Sequence, residues 1–426
     1  MTALERVCEQ LDCPELHKPL ETALCRFGFP ADAAAYGAEH LTEWYDLELP
    51  GVRRLLTAYL KEFCAIYEET PACRIYASVP SPVVLSAALN ETGRMRVYTA
   101  ELCAMIVLRG IFGISLDRFR NCCESQSRCA MLEYRGGFLR QSLIPTPDLL
   151  WSFGLLCDEC PKTDETIEGI QRVSTLSTIC PRDGCGESDF AYYESALWYD
   201  LQKVCTAAGT LVPDGAQAWN KAKLLGILVS TISCTASGAA YPPLKAATLS
   251  LLQSTMLMAF GDLDGLLRVL QELLREVRSI RNDGAKKKLY CYYIPPCAPE
   301  LGAFFAQNGI SLVGGAAFLT APVTQPYADD LAGYCAASWQ SCILSRSTIA
   351  NAETTAAAIR KEHCAGYLTG MFGFDRWLGA GHRLTAKKIE ELSGKPVFEC
   401  HVDFWGRDLA PSRIELYAET IASMLE

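Results

Sequence analysis

The Cys157-x-x-Cys160 pair has the spacing best suited to chemistry in this chain. Two thiols separated by two residues can ligate zinc or take part in dithiol redox reactions. A structural zinc site needs a second pair, and the spacing of Cys180 and Cys185 does not match one. In a chain with 21 cysteines such a pair can also arise by chance. Spacing therefore leaves metal ligation, redox chemistry and simple packing open.

The opening sequence predicts a protein that is not exported. It begins MTALERVCEQLDC and shows no basic stretch followed by an apolar one. Cytosolic thiols are kept reduced, so disulfides explain the high cysteine content poorly. Metal ligation, or life in a cell that meets little oxygen, explains it better. We expect a cytoplasmic protein.

Two other groups of residues could carry chemistry. Cys122, Cys123 and Cys129 form a second group of thiols, although packing as a small apolar side chain is the commonest role of a free cysteine. His382 lies beside glycines at a predicted helix start, where free N–H groups and the helix dipole favour an anion. A solvated or core imidazole is the commoner role for this and the other histidines.

The elements that position these residues alternate in type after residue 70. Segments 74–79, 97–99 and 148–153 are predicted strands with helices between them, and the intervening Pro80-Ser81-Pro82 can open one of those helices. Such alternation is typical of a parallel α/β sheet. The carboxyl ends of its strands face the ligand crevice, so Cys157, just after the third strand, is well placed for a site.

The rest of the chain divides into a helical region and a second alternating region. Periodicity predicts helices across 189–280. The second alternating region has predicted strands at 289–294, 311–313, 366–369 and 397–399, and predicted helices at 299–308, up to Glu362, at 383–392 and at 412–425. We therefore expect a helical N-terminal segment (1–70), a first α/β domain (71–188), a helical region (189–281) and a second α/β domain (282–426).

Composition narrows the function classes. Half of the residues are hydrophobic and 21% are charged, as in globular proteins. The net charge of -10 and the pI near 5.2 argue against a nucleic-acid partner. The most apolar stretch, 224–260, is interrupted by Pro242, Pro243 and Lys245, which favours buried helices over a membrane span.

Several short motifs occur in a characteristic order past residue 70. They are Ser78-Val79-Pro80-Ser81-Pro82 with Ala87-Ala88, the stretch from Cys129 through Pro147-Asp148-Leu149-Leu150 to Cys157-Asp158, and Gly394-Lys395-Pro396-Val397 followed by Asp403 and Arg413-Ile414-Glu415. In order and separation they resemble the 2-hydroxyacyl-CoA dehydratase and benzoyl-CoA reductase subunit family (the dehydratase D-component superfamily). The resemblance implies an α/β fold with two Rossmann-like parallel-sheet domains, a helical N-terminal segment and a helical middle region, and a 4Fe-4S cluster between the domains.

The resemblance implies that Cys129 and Cys157, which match by position, are the first two cluster ligands. The third is expected after the strand at 366–369, where this chain has Gly373. Two thiolates hold a four-iron cluster poorly. Other residues that could complete the set are Cys160, Cys364, Asp375 and His382, of which Cys364 is expected at the opposite end of the sheet.

The resemblance also implies a reaction and partners, with no catalytic residue assigned. In that family a separate ATP-dependent iron-sulfur activator delivers one electron to a pair of paralogous or identical subunits. The electron reaches the thioester carbonyl of an acyl-CoA, and the ketyl radical anion can expel a 2-hydroxyl group. Such a radical requires a site closed to water and oxygen. Lys286, Lys287 and Lys288 could attract the phosphates of coenzyme A, or be a solvated run before a strand.

Two alternatives stay open. Gly373 favours a partner subunit that keeps the fold, lacks the cluster and serves assembly or substrate closure. The chain could also be an iron-sulfur protein of the same fold that reduces a substrate other than a CoA ester.

Overall fold

Two four-stranded parallel sheets organise the computed structural model of the chain. This confirms the predicted fold class of two parallel-sheet units with helical segments. The structure describes residues 1–69, 72–120, 130–153, 159–179, 187–238, 244–280, 287–315, 330–341, 347–369, 376–400 and 411–425.

Four helices precede the first sheet, as predicted for the first 70 residues. A capping box starts the first of them, because the Thr2 hydroxyl accepts from the backbone of Glu5 while the Glu5 carboxylate accepts from the backbone of Thr2. Pro50 opens the fourth, where a first-turn N–H would be unpaired anyway. The helices are α1 (Ala3–Gln10), α2 (His17–Arg26), α3 (Ala35–Trp44) and α4 (Pro50–Ala65).

The first sheet has the strand order β2-β1-β3-β4. Three of its strands were predicted, but β4 was missed because its Ser174-Thr175-Leu176-Ser177-Thr178 sequence has a single strongly apolar residue. The strands are β1 (Cys73–Ala77), β2 (Met95–Tyr98), β3 (Leu149–Phe153) and β4 (Ser174–Thr178). The helices are α5 (Val83–Glu91), which follows Pro82 as predicted, α6 (Ala100–Met105), which continues as a π-helical segment (Ile106–Ile111), α7 (Ala130–Arg140) and α8 (Glu159–Gln171).

The predicted helical region contains four helices. The last has the clearest apolar stripe, with Leu266, Leu270, Leu273 and Val277 buried, and the Asp262 side chain caps its first turn. The helices are α9 (Glu187–Ala207), α10 (Ala216–Gly238), α11 (Ala246–Ser254) and α12 (Leu263–Ser279). Within the described parts of the chain, no helix combines the length and apolar character that a membrane crossing requires.

The second sheet repeats the topology of the first, with the order β6-β5-β7-β8. All four of its strands were predicted, within a few residues at each end. The strands are β5 (Lys287–Cys291), β6 (Ile310–Gly314), β7 (Gly366–Thr369) and β8 (Val397–Glu399). The helices are α13 (Pro299–Gln307), α14 (Leu331–Ser341), α15 (Thr348–Lys361), α16 (Arg376–Ser393) and α17 (Pro411–Leu425).

One apolar core includes side chains of both sheets. Trp151 of β3, Leu289 of β5 and Leu368 of β7 belong to the same cluster of contacting buried residues. A smaller cluster around Tyr290 and Tyr367 fills the other side of the second sheet. The two sheets therefore share one contiguous apolar core.

Candidate functional site

The carboxyl ends of the strands contain two topological switch points. In each sheet the second strand lies on one side of the first, and the third strand lies on the other side. The switch points are thus between β1 and β3 and between β5 and β7. Open parallel sheets bind ligands in the crevice outside such points, which makes the strand ends at these two points the candidate site.

Ser78 ties the two strands together at the first switch point. This fully buried residue follows β1, and its N–H donates to the carbonyl of Trp151 at 2.8 Å. Its Oγ accepts from the N–H of Phe153, the last residue of β3, at 2.9 Å. Phe153 precedes Cys157 by four positions. The first switch point therefore has a fixed backbone immediately before the predicted ligand segment.

A buried hydrogen-bond chain extends from this point to α9. The indole Nε1–H of Trp151 donates to Thr178 Oγ1 at 2.9 Å, and the Thr178 hydroxyl donates to Asp200 Oδ2 at 2.7 Å. Burial raises the pKa of Asp200, and the Thr178 hydrogen bond opposes that effect. The chain fixes the end of β4, the strand that the sequence did not predict.

Arg135 of α7 is the centre of a buried ionic cluster beside β1 and β2. Its Nη1 donates to Glu101 Oε1 at 2.7 Å, and Nε and Nη2 donate to the two carboxylate oxygens of Asp164 at 2.7 and 3.1 Å. Nη2 also donates to the carbonyl of Tyr76 at 3.2 Å. The three charged side chains are at most 2% exposed. The cluster therefore joins α6, α7 and α8 under the carboxyl ends of the first sheet.

The cluster holds an excess of one negative charge if both of its carboxyls are ionised. Although burial opposes its charge, Asp164 and Glu101 hold the pKa of Arg135 well above its usual value. Both oxygens of Asp164 accept from Arg135, whereas Glu101 Oε2 is buried with no hydrogen-bond partner within the described residues. Burial raises the pKa of Glu101, against the attraction of Arg135. The environment of Glu101 therefore favours its protonated form.

Cys160 lies in the first turn of α8, next to this cluster. The side chain is 3% exposed, and Asp164, one turn later on the same helix, is the bidentate partner of Arg135. Cys160 lies close enough to Arg135 for the two side chains to interact electrostatically. Of the predicted ligands, Cys160 is thus beside a fixed buried cation at the carboxyl edge of the first sheet.

Helix α11 carries buried polar side chains to the second sheet. Gln253 donates from Nε2 to the carbonyl of Gly314, at the end of β6, at 2.5 Å. Ser250 donates to the carbonyl of Ile294 at 2.5 Å, and Ser254 lies 3.3 Å from the hydroxyl of Tyr293, both shortly after β5. Every residue of α11 is buried. The helix therefore faces the carboxyl ends of β5 and β6 with hydrogen-bonding groups.

The residues after α11 reach the first sheet. The N–H of Ala259 donates to Thr99 Oγ1, directly after β2, at 3.2 Å. The N–H of Gly261 donates to Glu62 Oε1 at 2.6 Å, and Arg96 of β2 donates to Glu62 Oε2 at 2.9 Å. A single segment, 246–261, therefore contacts the carboxyl ends of strands in both sheets.

The principal predicted ligands are not among the residues that the structure describes. Cys129 immediately precedes α7, and Cys157 lies between β3 and α8 in the chain, while Gly373 and Asp375 lie between β7 and α16. Within the described ranges, no three His, Cys, Asp or Glu side chains are grouped so as to hold a metal ion. The described residues by themselves therefore do not form a cluster site.

His382 does not lie at a helix start, so the helix start predicted beside it is wrong. Helix α16 begins at Arg376, earlier than the predicted start at 383, and His382 is within the helix. The free N–H groups of the first turn belong to residues before it. Glycines at 379 and 381 led to the late predicted start, but α16 continues through both.

Two other predicted features lie at the amino edge of the second sheet. Cys364 precedes β7 and is fully buried, at the end of the sheet opposite the carboxyl ends. Lys287 and Lys288 lie within β5, not before it. Lys287 donates to the carbonyl of Leu425 at 2.6 Å, and Lys288 is 7% exposed. Lys287 is exposed whereas Lys288 is buried, and both lie at the end of β5 away from the switch points.

Sequence reasoning missed the buried charged residues of the first sheet and the polar face of α11. Glu101, Arg135 and Asp164 are far apart in the chain and match no spacing motif. A weak signal was present in the sequence. Glu101 lies in a mainly apolar helix that follows β2, and Arg135 lies in a buried helix that precedes β3. A charge in such a place requires a partner.

No protein-family model matches this chain, and no curated protein sequence matches it. The family resemblance therefore rests on the motifs quoted above.

Proposed function

We propose that this chain is a subunit of an iron-sulfur, ATP-activated enzyme of the 2-hydroxyacyl-CoA dehydratase or acyl-CoA reductase type. The observation that supports it most is positional. Cys157 follows β3 and Gly373 follows β7, which are the strands on the far side of the two switch points. Both positions singled out by the resemblance thus follow strands at which an α/β sheet holds its ligands.

Segment 246–261, with its buried serine, threonine and glutamine side chains on α11, supports the same proposal. The segment contacts the carboxyl ends of strands in both sheets. Its helix, α11, has no exposed residue. Chemistry on a reactive radical requires a dry site with fixed hydrogen-bond groups. The residues of this segment would exclude water and fix the ends of β2, β5 and β6.

A 4Fe-4S cluster would supply the low-potential electron of this chemistry. The proposed ligands are Cys129 and Cys157, with Cys160 or His382 as lesser candidates. The buried cation at Arg135 would hold the start of α8, next to Cys157 in the chain, in one position. The proposed partners are a paralogous or identical subunit, an ATP-dependent activator and an acyl-CoA.

Anaerobic iron analysis of the full-length protein tests this proposal. We expect about four irons per chain with broad visible absorbance. Cys157→Ser and Cys129→Ser should each lose most of the iron, whereas Cys234→Ser, at an exposed thiol on α10, should retain it. Unchanged iron after Cys157→Ser would refute the ligand assignment.

Gly373 favours a second candidate function, a partner subunit without a cluster. In that case the purified protein holds no iron and still binds a cluster-bearing paralogue. If it holds iron but fails to bind any acyl-CoA, an iron-sulfur reductase of another substrate is favoured. Iron content and acyl-CoA binding together separate the three possibilities.

A further inference from the structure

Helix α1 ends in a Schellman motif. The N–H of Cys13 donates to the carbonyl of Cys8 at 2.9 Å, and the N–H of Asp12 donates to the carbonyl of Glu9 at 3.2 Å. Asp12 has the left-handed conformation that this motif requires, with φ of 56°. Its carboxylate accepts from Arg53 Nε at 2.7 Å, which fixes the turn from outside.

This motif brings two thiols into contact. The residues whose N–H and carbonyl close the outer hydrogen bond of a Schellman motif generally contact each other through their side chains. Here they are Cys13 and Cys8, which are 0% and 1% exposed. The interaction of the two thiols with each other raises the pKa of Cys8 and lowers the pKa of Cys13. Cys13 is therefore the more nucleophilic member of the pair.

We propose that Cys8 and Cys13 are a reversible disulfide-forming pair, oxidised by a small hydroperoxide that reaches them when the end of α1 opens. The pair lies in the N-terminal helices, and this proposal does not depend on the proposed function. A disulfide requires neighbouring Cβ atoms, and the backbone hydrogen bond from Cys13 to Cys8 holds these two residues side by side in the native turn. The pair stays reduced in a cell that meets little oxygen.

The oxidation balances with hydrogen peroxide as the co-reactant. The Cys13 thiolate attacks one peroxide oxygen, the O–O bond breaks, and the sulfur becomes a sulfenic acid while the other oxygen leaves as water after taking a proton. Cys8 sulfur then attacks the Cys13 sulfur, and the S–O bond breaks to release a second water. The two thiols lose two electrons to the peroxide, and a dithiol reductant reverses the change.

Cys64 is the competing thiol nearby. It lies on α4, is 6% exposed, and influences the ionisation of Cys8. Burial raises the pKa of Cys64 to about 12, so it remains a thiol at neutral pH. Cys8 and Cys13 are also joined by a short stretch of chain, which favours their pairing over a bond to Cys64.

The test is peroxide treatment of the native full-length protein. After treatment, remaining thiols are blocked with N-ethylmaleimide in denaturant, and the protein is digested with a protease that cleaves after glutamate. Cleavage after Glu5, Glu9 and Glu15 separates Cys8 from Cys13. We expect the peptides 6–9 and 10–15 to be recovered joined by a disulfide, and separately after dithiothreitol.

Two variants sharpen the result. Cys64→Ala should leave the joined peptides unchanged, and Cys25→Ala, at an exposed thiol on α2, should do the same. The proposal is overturned if Cys8 and Cys13 are both recovered alkylated after Cys25 has been oxidised. It is also overturned if either thiol pairs with Cys64, or if joining occurs only after the far-UV circular dichroism shows unfolding.

Discussion

Arg135 decides the electrostatics of the first sheet. It is surrounded by Glu101 and Asp164, and the three side chains are almost completely removed from water. Removing one side chain of such a buried cluster leaves an uncompensated charge away from water. The resulting loss of folding stability is larger than the net stabilisation that the intact cluster provides. The cluster therefore fixes one arrangement of α6, α7 and α8 beside the strand ends.

Arg135→Met should lower the free energy of unfolding by about 3–5 kcal/mol, because it leaves two carboxyls buried without a cation. Urea unfolding at neutral pH measures this. The matched control is Lys388→Met, which removes an exposed ion pair with Glu391 at 3.6 Å and should change stability by less than about 1 kcal/mol. Equal effects of the two substitutions would contradict a buried cluster.

The Glu101→Gln variant should gain stability relative to the wild-type protein as pH rises. The raised pKa of Glu101 means that its contribution to stability is complete below about pH 4.5, its ordinary value, and is lost as pH rises through the folded-state pKa. The wild-type protein must then bury a second carboxylate, whereas the amide side chain of the variant stays neutral at every pH.

The measurement for this prediction is the difference in unfolding free energy between Glu101→Gln and wild type from pH 4.5 to 8. Glu165→Gln, at an exposed position of α8, serves as the control and should show no such trend. A difference that is flat with pH would show that Glu101 ionises normally, and one that moves toward the wild type at high pH would show a lowered pKa; either result would contradict the prediction.

At the scale of elements, α11 is unusual because it has no exposed face and yet buries the polar side chains of Thr248, Ser250, Gln253 and Ser254. Its Gln253 reaches the turn after β6, where Gly314 and Gly315 have φ of 97° and 78°. A Cβ on Gly315 would lie 2.4 Å from Gln253 Oε1, a contact that real structures do not show. The close approach of helix and turn thus requires glycine for its space as well as its conformation.

Gly315→Ala should destabilise the protein more than Gly309→Ala does. Both glycines have left-handed φ, but a Cβ at Gly309 would meet nothing within 4 Å. Gly309→Ala therefore measures the backbone cost alone, about 1–2 kcal/mol. The collision with Gln253 should add a further 1–3 kcal/mol, roughly, to the cost of Gly315→Ala.

A double-mutant cycle with Gln253→Ala tests whether that added cost arises at the proposed contact. The double variant Gln253→Ala/Gly315→Ala should be more stable than the sum of the single effects predicts. Strict additivity would mean that Gly315 is required for another reason.

For the whole molecule, the shared core is the decisive feature. Side chains of β3, β5 and β7 belong to one contiguous apolar cluster, and segment 246–261 is bonded to both sheets. Neither half can lose its structure without exposing apolar surface of the other. We therefore infer that the two sheets unfold together.

Scanning calorimetry should show one transition for the wild-type protein. Arg135→Met, which acts in the first sheet, should shift that whole transition to lower temperature without splitting it. Two resolved transitions, only one of which moves in the variant, would show that the two halves unfold independently.

The sequence by itself determined the alternation of strands and helices, seven of the eight described strands and the fold class. These features follow from local apolar patterns and from proline and glycine punctuation, which act over a few residues. Strand β4 was not predicted because its own sequence pattern is weak. Packing and the Thr178–Asp200 hydrogen bond stabilise it instead. The start of α16 was misplaced because tertiary contacts override the weak helix preference of glycine.

Only the tertiary structure decided which distant residues meet. Glu101, Arg135 and Asp164 come together, as do Gln253 with Gly314 and Ala259 with Thr99, because parallel sheets bring the ends of separate strands to one edge. The sequence predicted that Cys157 follows a strand, and the sheet order shows that this strand borders a switch point. Long-range contacts of this kind depend on how the chain crosses over between strands, and no local spacing records that.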